Sequence, residues 1–478
     1  MVLSGFTGGS HPSLHHVSRN VKRLFLCSIA LLLLLPTSRL RAEDLATATP
    51  LATYVKKSDD TFTWKKRREG KIGGTEYVEM LITSQTWKGT TWKHLAFLIK
   101  PSTATEKTKH AMVMITGGSW RDEIETGPPG NLPREAVVLA SAAEQFGTPI
   151  MILQQVPFQP IFDGMKEDAA IAYTFEQFVR TGDNEWPLLF PMVKSAVRAM
   201  DVTQSHCKDA WGMNIETFTL TGASKRGWTT WLTSAVDKRV TALCPMVIDM
   251  LKMGPQMKHQ VDTWGEPSDE IADYTNRGLN KLLETPRGAA LVKMVDPLAY
   301  KTSLKQPKVV MLGTNDAYWP LDACNLYWDD LEGPKWVCYI PNNPHGLNDI
   351  PRIVGALGAV HMAAASNKPM PKYDWKYEPA EKGLQLTVTP TDAPKIIRIW
   401  KTTSETKDFR KSKWESEELA SDKAVWRYTH ATPDKGYAAF FAELEYDNYA
   451  FPTYLSTTLR ILPPVGAKPA EATPSEKK

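Results

Sequence analysis

Phe218-Thr-Leu-Thr-Gly-Ala-Ser-Lys-Arg-Gly227 is the stretch from which the rest of the chain can be read. Its apolar start, residues 218–220, predicts a buried strand. The strand stops at Thr221-Gly222, and a helical pattern begins near Lys225 and runs through Trp231 and Leu232. Ser224 therefore falls on a sharp strand-to-helix turn, which pushes a serine Oγ out at the top of a parallel sheet. The following helix points its N-terminus at the same spot and favours negative charge there. The pattern departs from G-x-S-x-G. Gly222 is in place, Arg226 takes the second glycine position, and Gly227 comes one residue later. A plain Gly-Ser turn before a helix has the same local signature, so the flanking chain has to decide.

Working outward, residues 111–115, 149–154, 242–248, 308–312 and 336–340 are unbroken apolar runs, as expected of strands covered on both faces. Helical patterns at 134–146, about 190–200 and 350–365 separate them. Alternating strands and helices predict the α/β class, a doubly wound and mostly parallel sheet. Residues 251–300 are helical and longer than a simple crossover needs, so they are expected to cap the site. Residues 53–100 alternate apolar and polar side chains around Gly73-Gly74 and Lys88-Gly89, which predicts an antiparallel meander. After a proline-containing linker at 367–371, short alternating runs over 373–463 predict a small β-sandwich. The expected organisation is thus a catalytic domain over 43–366, a β-module over 373–463 and a disordered tail over 464–478. The module places no Asp or His after a buried parallel strand. A covering or substrate-orienting role is expected of it, dispensable for small esters.

Ligands of such sheets sit beyond the carboxyl ends of the strands. Ser224, Asp316 and His345 fall at such ends, 92 and 29 residues apart. Serine, acid, histidine is the chain order of α/β-hydrolases. The chemistry needs these types. A serine hydroxyl is a weak nucleophile until a base takes its proton, histidine can do so near neutral pH, and an acid holds the imidazole tautomer. Asp249, also at a strand end, is the rival acid, and Asp322 a weaker one. The oxyanion needs two preorganised N–H donors. Lys225 supplies one candidate, and Gly118 or Ser119, in the Gly-Gly loop after residues 111–115, supplies the other. Trp120, Trp264, Trp319 and Arg226 fall near the inferred mouth as candidate substrate contacts, with core packing as the alternative for the tryptophans.

The chain has 478 residues, enough for roughly two or three domains. Its net charge of +4 and the lack of a long basic stripe make no electrostatic case for nucleic acid. Residues 1–42 read as an export signal: Arg19, Lys22 and Arg23 precede the apolar run 24–35, which is too short to span a bilayer comfortably. A secreted or periplasmic protein without stable membrane insertion is expected. Four cysteines remain after that segment, Cys207, Cys244, Cys324 and Cys338, at spacings that make no zinc site. A Cys324–Cys338 bridge and buried free thiols are both open. No metal or cofactor is expected.

Thr221-Gly-Ala-Ser-Lys-Arg-Gly-Trp-Thr-Thr-Trp231, Gly313-Thr-Asn-Asp-Ala-Tyr-Trp319 and Asn343-Pro-His-Gly346 together resemble the PhoPQ-activated pathogenicity-related protein family. The resemblance spans about residues 45–463 and implies a secreted α/β-hydrolase fold. The elbow is also similar to that of glucuronoyl esterases, in which an arginine directly follows the serine; here Lys225 does, with Arg226 next. The expected activity is serine hydrolysis of an ester or amide through an acyl-enzyme. A peptide-like substrate is preferred because a capped hydrolase with an extra β-module resembles exported prolyl-type peptidases. A saccharide ester, with Lys225 or Arg226 receiving a sugar carboxylate, and a non-catalytic binding or signalling role are the alternatives. The oligomeric state is left open.

Overall fold

The computed structural model describes residues 49–466 except 367, 420–423 and 448. The expected export signal and most of the expected tail lie outside the described residues. Seventeen strands form among the described residues. An antiparallel meander, β1 (Thr63–Ile72), β2 (Thr75–Trp87) and β3 (Thr90–Lys100), leads into the parallel strands. These are β4 (His110–Ile115), β5 (Ile150–Leu153), β6 (Thr217–Ala223), β7 (Val240–Met246), β8 (Lys308–Gly313) and β9 (Lys335–Ile340). Their spatial order is β5-β4-β6-β7-β8-β9, every pair parallel. The chain runs outward from β4 to β5, then returns to the other side of β4 at β6. That reversal between β4 and β6 is the switch point where open α/β sheets bind ligands.

The apolar runs read from the sequence are the inner strands, and β4 to β9 are buried almost throughout. Helices Arg134–Phe146, Leu189–Trp211, Lys225–Val236 and Ile350–Ser366 connect or cover them. The sheet divides the interior into two apolar clusters, one on each face. One element was legible only at its start, in the alternating residues 61–64, and another not at all. Strand β1 is Thr-Trp-Lys-Lys-Arg-Arg-Glu-Gly-Lys-Ile and mostly solvent-facing, so it lacks apolar alternation and is held by its partner β2. Helix Glu167–Thr181 lies inside what reads as a long connection.

The C-terminal strands are less separate than a free-standing sandwich. They are β10 (Tyr373–Ala380), β11 (Gly383–Pro390), β12 (Ile396–Ser404), β13 (Glu415–Glu418), β14 (Trp426–Ala431), β15 (Tyr437–Tyr446), β16 (Thr453–Ser456) and β17 (Arg460–Leu462). β10, β11 and β14 form a three-stranded sheet. β16, β15, β12 and β13 instead continue the central sheet past β9, through the pairing of Ser456 with Val337. The two layers pack face to face, with Tyr377 and Tyr428 against Phe440 at ring separations of 5.6 and 5.7 Å. The physical reason is an edge. β9 would otherwise present an unpaired edge, and β16 closes part of it, with Ser456 opposite Val337 and its Oγ accepting Tyr339 N–H at 3.1 Å. Cys207, Cys244, Cys324 and Cys338 are all free and buried, so the bridge between Cys324 and Cys338 is not made.

Candidate active site

Ser224 sits between β6 and helix Lys225–Val236 with φ 57° and ψ −128°. A non-glycine residue in that region is strained and is retained only where the surroundings over-determine it. Here they do. Ser224 N–H donates to Met246 O at 2.8 Å, and its carbonyl accepts from Trp228 N–H at 3.0 Å. The glycine shift in the motif has a steric cause. A Cβ on Gly227 would lie 2.9 Å from Met246 O and 3.0 Å from Gly222 O, and one on Gly222 would lie 2.8 Å from Arg226 O. Gly227, not residue 226, is where the helix presses on the strand, so the arginine is tolerated before it.

His345 and Asp316 come from the turns after β9 and β8. His345 Nδ1 is 2.8 Å from Asp316 Oδ2, and the other carboxylate oxygen accepts Tyr318 N–H at 2.8 Å. The two turns are pressed together: Asn315 N–H donates to Asn343 O at 3.0 Å. A Cβ on Gly313 would meet Asn343 O at 2.5 Å and Pro344 O at 2.8 Å. The Tyr318 ring packs on the imidazole with centroids 4.1 Å apart. His345 Nε2 is buried and has no hydrogen-bond partner. Ser224 and His345 line one cavity of about 780 Å³, its open mouth included. Its floor is the elbow and the two turns, and its far walls come from the 251–300 cap.

The rival acids are occupied elsewhere. Asp249 accepts Tyr327 O–H at 2.6 Å, and burial pushes its carboxyl up to about 7. Asp322 pairs with His259 Nε2 at 2.6 Å. That second contact ties the cap down, along with Gln256 Nε2 to Ala323 O and Gln260 Nε2 to Tyr318 O at 3.0 and 2.9 Å. Another Ser–His contact, Ser84 Oγ to His94 Nε2 at 3.0 Å, is wholly buried and continues to Ser195, a polar knot between β2, β3 and helix Leu189–Trp211.

The remaining predicted residues divide. Lys225 begins the helix after Ser224, where the first N–H groups have no intrahelical acceptor. Gly118 has φ 111°, a conformation that favours glycine, and its carbonyl accepts Gln159 Nε2 at 3.1 Å. Ser119 follows it in the same loop, which Arg226 reaches: Gly117 packs against the guanidinium, and Nε donates to Val156 O at 2.5 Å. Trp319 lines the cavity, whereas Trp264 lies behind it, under the Arg410 guanidinium at 4.4 Å. Trp120 is buried away from it, beside Phe158. Arg226 is not a free cation. Both its Nη groups are 2.7 Å from the Glu167 carboxylate. Burial opposes the charge on Glu167, but the Arg226 hydrogen bonds and charge, with Lys225, hold its carboxyl down at about 2.

Glu167, Asp168 and Tyr274 were missed by sequence reasoning. Lys225 Nζ lies 3.1 Å from Glu167 Oε2 and 3.0 Å from Asp168 Oδ2, and Tyr274 O–H donates to Asp168 Oδ1 at 2.9 Å. An acidic pair opening one helix and a basic pair opening another are complementary, but nothing local announces that they meet. Among the described residues no group of three or more His, Cys, Asp or Glu could hold a metal ion, and no helix is long and apolar enough to cross a membrane.

The PhoPQ-activated pathogenicity-related protein family matches residues 51–410. The chain is 31% identical over 440 residues to "Autocrine proliferation repressor protein A" of Dictyostelium discoideum, covering 84% of this chain and 86% of that protein. Among solved structures it is similar to an acetyl xylan esterase from Paenibacillus sp. R4, with TM-score 0.45, 12% identity, and 65% of this chain and 91% of that one covered. An S-formylglutathione hydrolase from Agrobacterium tumefaciens matches with TM-score 0.39, 12% identity, and 59% and 92% covered.

Proposed function

The chain belongs to the PhoPQ-activated pathogenicity-related protein family, and from that premise we propose that it is a serine hydrolase that cleaves an ester or amide through an acyl-enzyme. One observation carries the reading: a strained elbow serine and an Asp-paired histidine with an open Nε2 share one cavity. In this reading Ser224 Oγ attacks the carbonyl while His345 Nε2 takes its proton. Asp316 keeps the proton of His345 on Nδ1 and stabilises the imidazolium. The Lys225 N–H and an N–H of Gly118 or Ser119 receive the oxyanion. His345 then returns the proton to the leaving group and activates the water that releases the acyl group. The missing contact between Ser224 and His345 is compatible with this, because catalytic hydrogen bonds often tighten only around substrate. The test is a fluorophosphonate probe. Wild-type protein is expected to be labelled and Ser224→Ala not, with the fold intact; equal labelling of both would refute the assignment.

Export is part of the proposal, supported by the basic and apolar pattern of residues 1–42. The N-terminal sequence of the mature protein outside the cytoplasm tests it. The Dictyostelium relative, named as an autocrine proliferation repressor, favours a second reading, a secreted signal on a hydrolase scaffold. The readings part on one variant, since a purely signalling protein keeps its effect as Ser224→Ala.

A further inference from the structure

Resting on the hydrolase reading, we propose that the part of the substrate held in the cap cavity is an uncharged, hydrocarbon-rich group, aliphatic or aromatic, whose size is set by Met253 and Met257. The inference departs from both the peptide-like and the sugar-carboxylate expectations, and the cavity wall is the reason. Beyond Ser224 most of the wall is apolar, with Phe175, Trp228, Leu279 and the cap methionines, and its uncharged polar members include Thr275 and Asn280. The exposed surface of that wall is apolar almost throughout, as in pockets that take hydrocarbon-rich groups. An acetyl group would leave most of that apolar surface wet.

The charges in the wall leave none to spare for a ligand. Among the described residues lining the cavity, Lys225 and Asp168 are the full charges apart from the histidine. Lys225 is held between two carboxylates at 3.0 and 3.1 Å. Asp168 is held by Lys225 and by the Tyr274 hydroxyl, which burial and then the Asp168 charge keep far above its ordinary value and so in the donor form. A substrate carboxylate would have to take Lys225 from both acids. A substrate ammonium would have to take Asp168 from Lys225. Either exchange leaves a desolvated charge unpaired. Arg226, the other cation near the serine, is bound by both oxygens of Glu167 and does not line the cavity. Neutral groups meet no such barrier. Met253 and Met257 stand one helical turn apart on helix Met253–Trp264 and face the cavity together. Unbranched thioethers repack around differing chain shapes.

The group can sit on either side of the scissile bond, so two arms are run on the full chain. The acyl arm compares p-nitrophenyl acetate, butanoate, octanoate and the charged monosuccinate; the alcohol arm compares phenyl with naphthyl acetate. Each methylene taken out of water favours the longer ester by about fourfold at most. At least a tenfold rise in kcat/KM from smallest to largest neutral ester is expected in one arm; where that is the acyl arm, the monosuccinate is expected well below butanoate. No rise in either arm, or a rise in the acyl arm with monosuccinate matching butanoate, would overturn the proposal. Met257→Trp is expected to cut the large-to-small ratio of kcat/KM at least tenfold, and Met253→Phe is the second variant should the first not fold. A merely destabilising change lowers both rates together, and an unchanged ratio in the folded variants counts against the proposal. Fluorophosphonate labelling of Ser224 is read in parallel. Labelling with flat arms overturns the pocket inference alone, whereas no labelling and no turnover overturn the hydrolase reading and this one with it.

Discussion

Asn315→Ala tests whether the C-terminal β-module positions the triad. Asn315 directly precedes Asp316, and its Nδ2 faces three carbonyls of the β12–β13 connection: Ser412 at 2.7 Å, Arg410 at 3.2 Å and Phe409 at 3.4 Å. Two protons cannot serve three acceptors equally, so the Ser412 bond carries most of the contact. Nearby, Asn342 before the His345 turn exchanges two bonds with Trp414, at 3.0 and 2.8 Å. The connection therefore grips both turns that carry Asp316 and His345. Removing the Asn315 amide loses the Ser412 bond and the one its Oδ1 accepts from Thr314 Oγ1 at 2.8 Å, and strands part-buried carbonyls, which costs about 1–3 kcal/mol of stability. A displacement of the acid by a fraction of an ångström is expected to lower kcat about 10- to 100-fold, because misplacement of about 1 Å can cost 10²-fold. Urea unfolding and p-nitrophenyl ester kinetics are measured on the same preparation. If stability falls as stated while kcat stays within about twofold, the clamp is structural only and the positioning argument is wrong. By the same geometry, ending the chain at Lys368 removes the clamp and five strands of the central sheet, so loss of small-ester turnover is expected, against the simpler reading of the module as dispensable.

Asp316→Asn is expected to lower kcat by about 10⁴-fold through the wrong imidazole tautomer, while Asp249→Asn leaves the His345 pair intact and is far milder; the reverse order of the two in a steady-state assay would move the acid to Asp249. Asp249 also predicts a pH dependence of stability. Burial first, then the Asp316 and Asp322 charges, raise its carboxyl against the Tyr327 hydrogen bond and His259, so the folded state keeps a proton between pH 3.8 and about 7 that the unfolded chain has released. Its contribution is complete below pH 3.8 and is lost as pH rises through about 7. Asp249→Asn should therefore gain stability relative to wild type from pH 5 to pH 8 (roughly the span over which the proton leaves) in urea unfolding, and a constant difference would refute the burial argument.

How much was legible follows from the range of each interaction. The inner strands and the order Ser224, Asp316, His345 were readable because burial on both faces writes unbroken apolar runs, and because loops at strand ends place their residues on one side of the sheet. The bond between Asp316 and His345 agrees with that order. Trp120 was misplaced for the same reason that it was chosen. Position after a strand says which end of the sheet a residue occupies, not which way its ring turns, and the ring packs beside Phe158.

What the sequence by itself determined is the α/β alternation, the strand-to-helix turn at Ser224, the helical insertion after β7 and the placing of Ser224, Asp316 and His345 at strand ends, all set by local pattern and chain order. What only the tertiary structure decided is pairing across distance. Arg226 and Lys225 meet Glu167 and Asp168 from another helix and are engaged there as ion-pair partners. Gly227 takes over the close approach because helix and strand are in van der Waals contact there and not at residue 226. The β-module joins the sheet at the edge that β9 leaves open, and its loop then reaches the turns that hold Asp316 and His345. Such contacts depend on which surfaces face each other after folding, and no spacing along the chain encodes that.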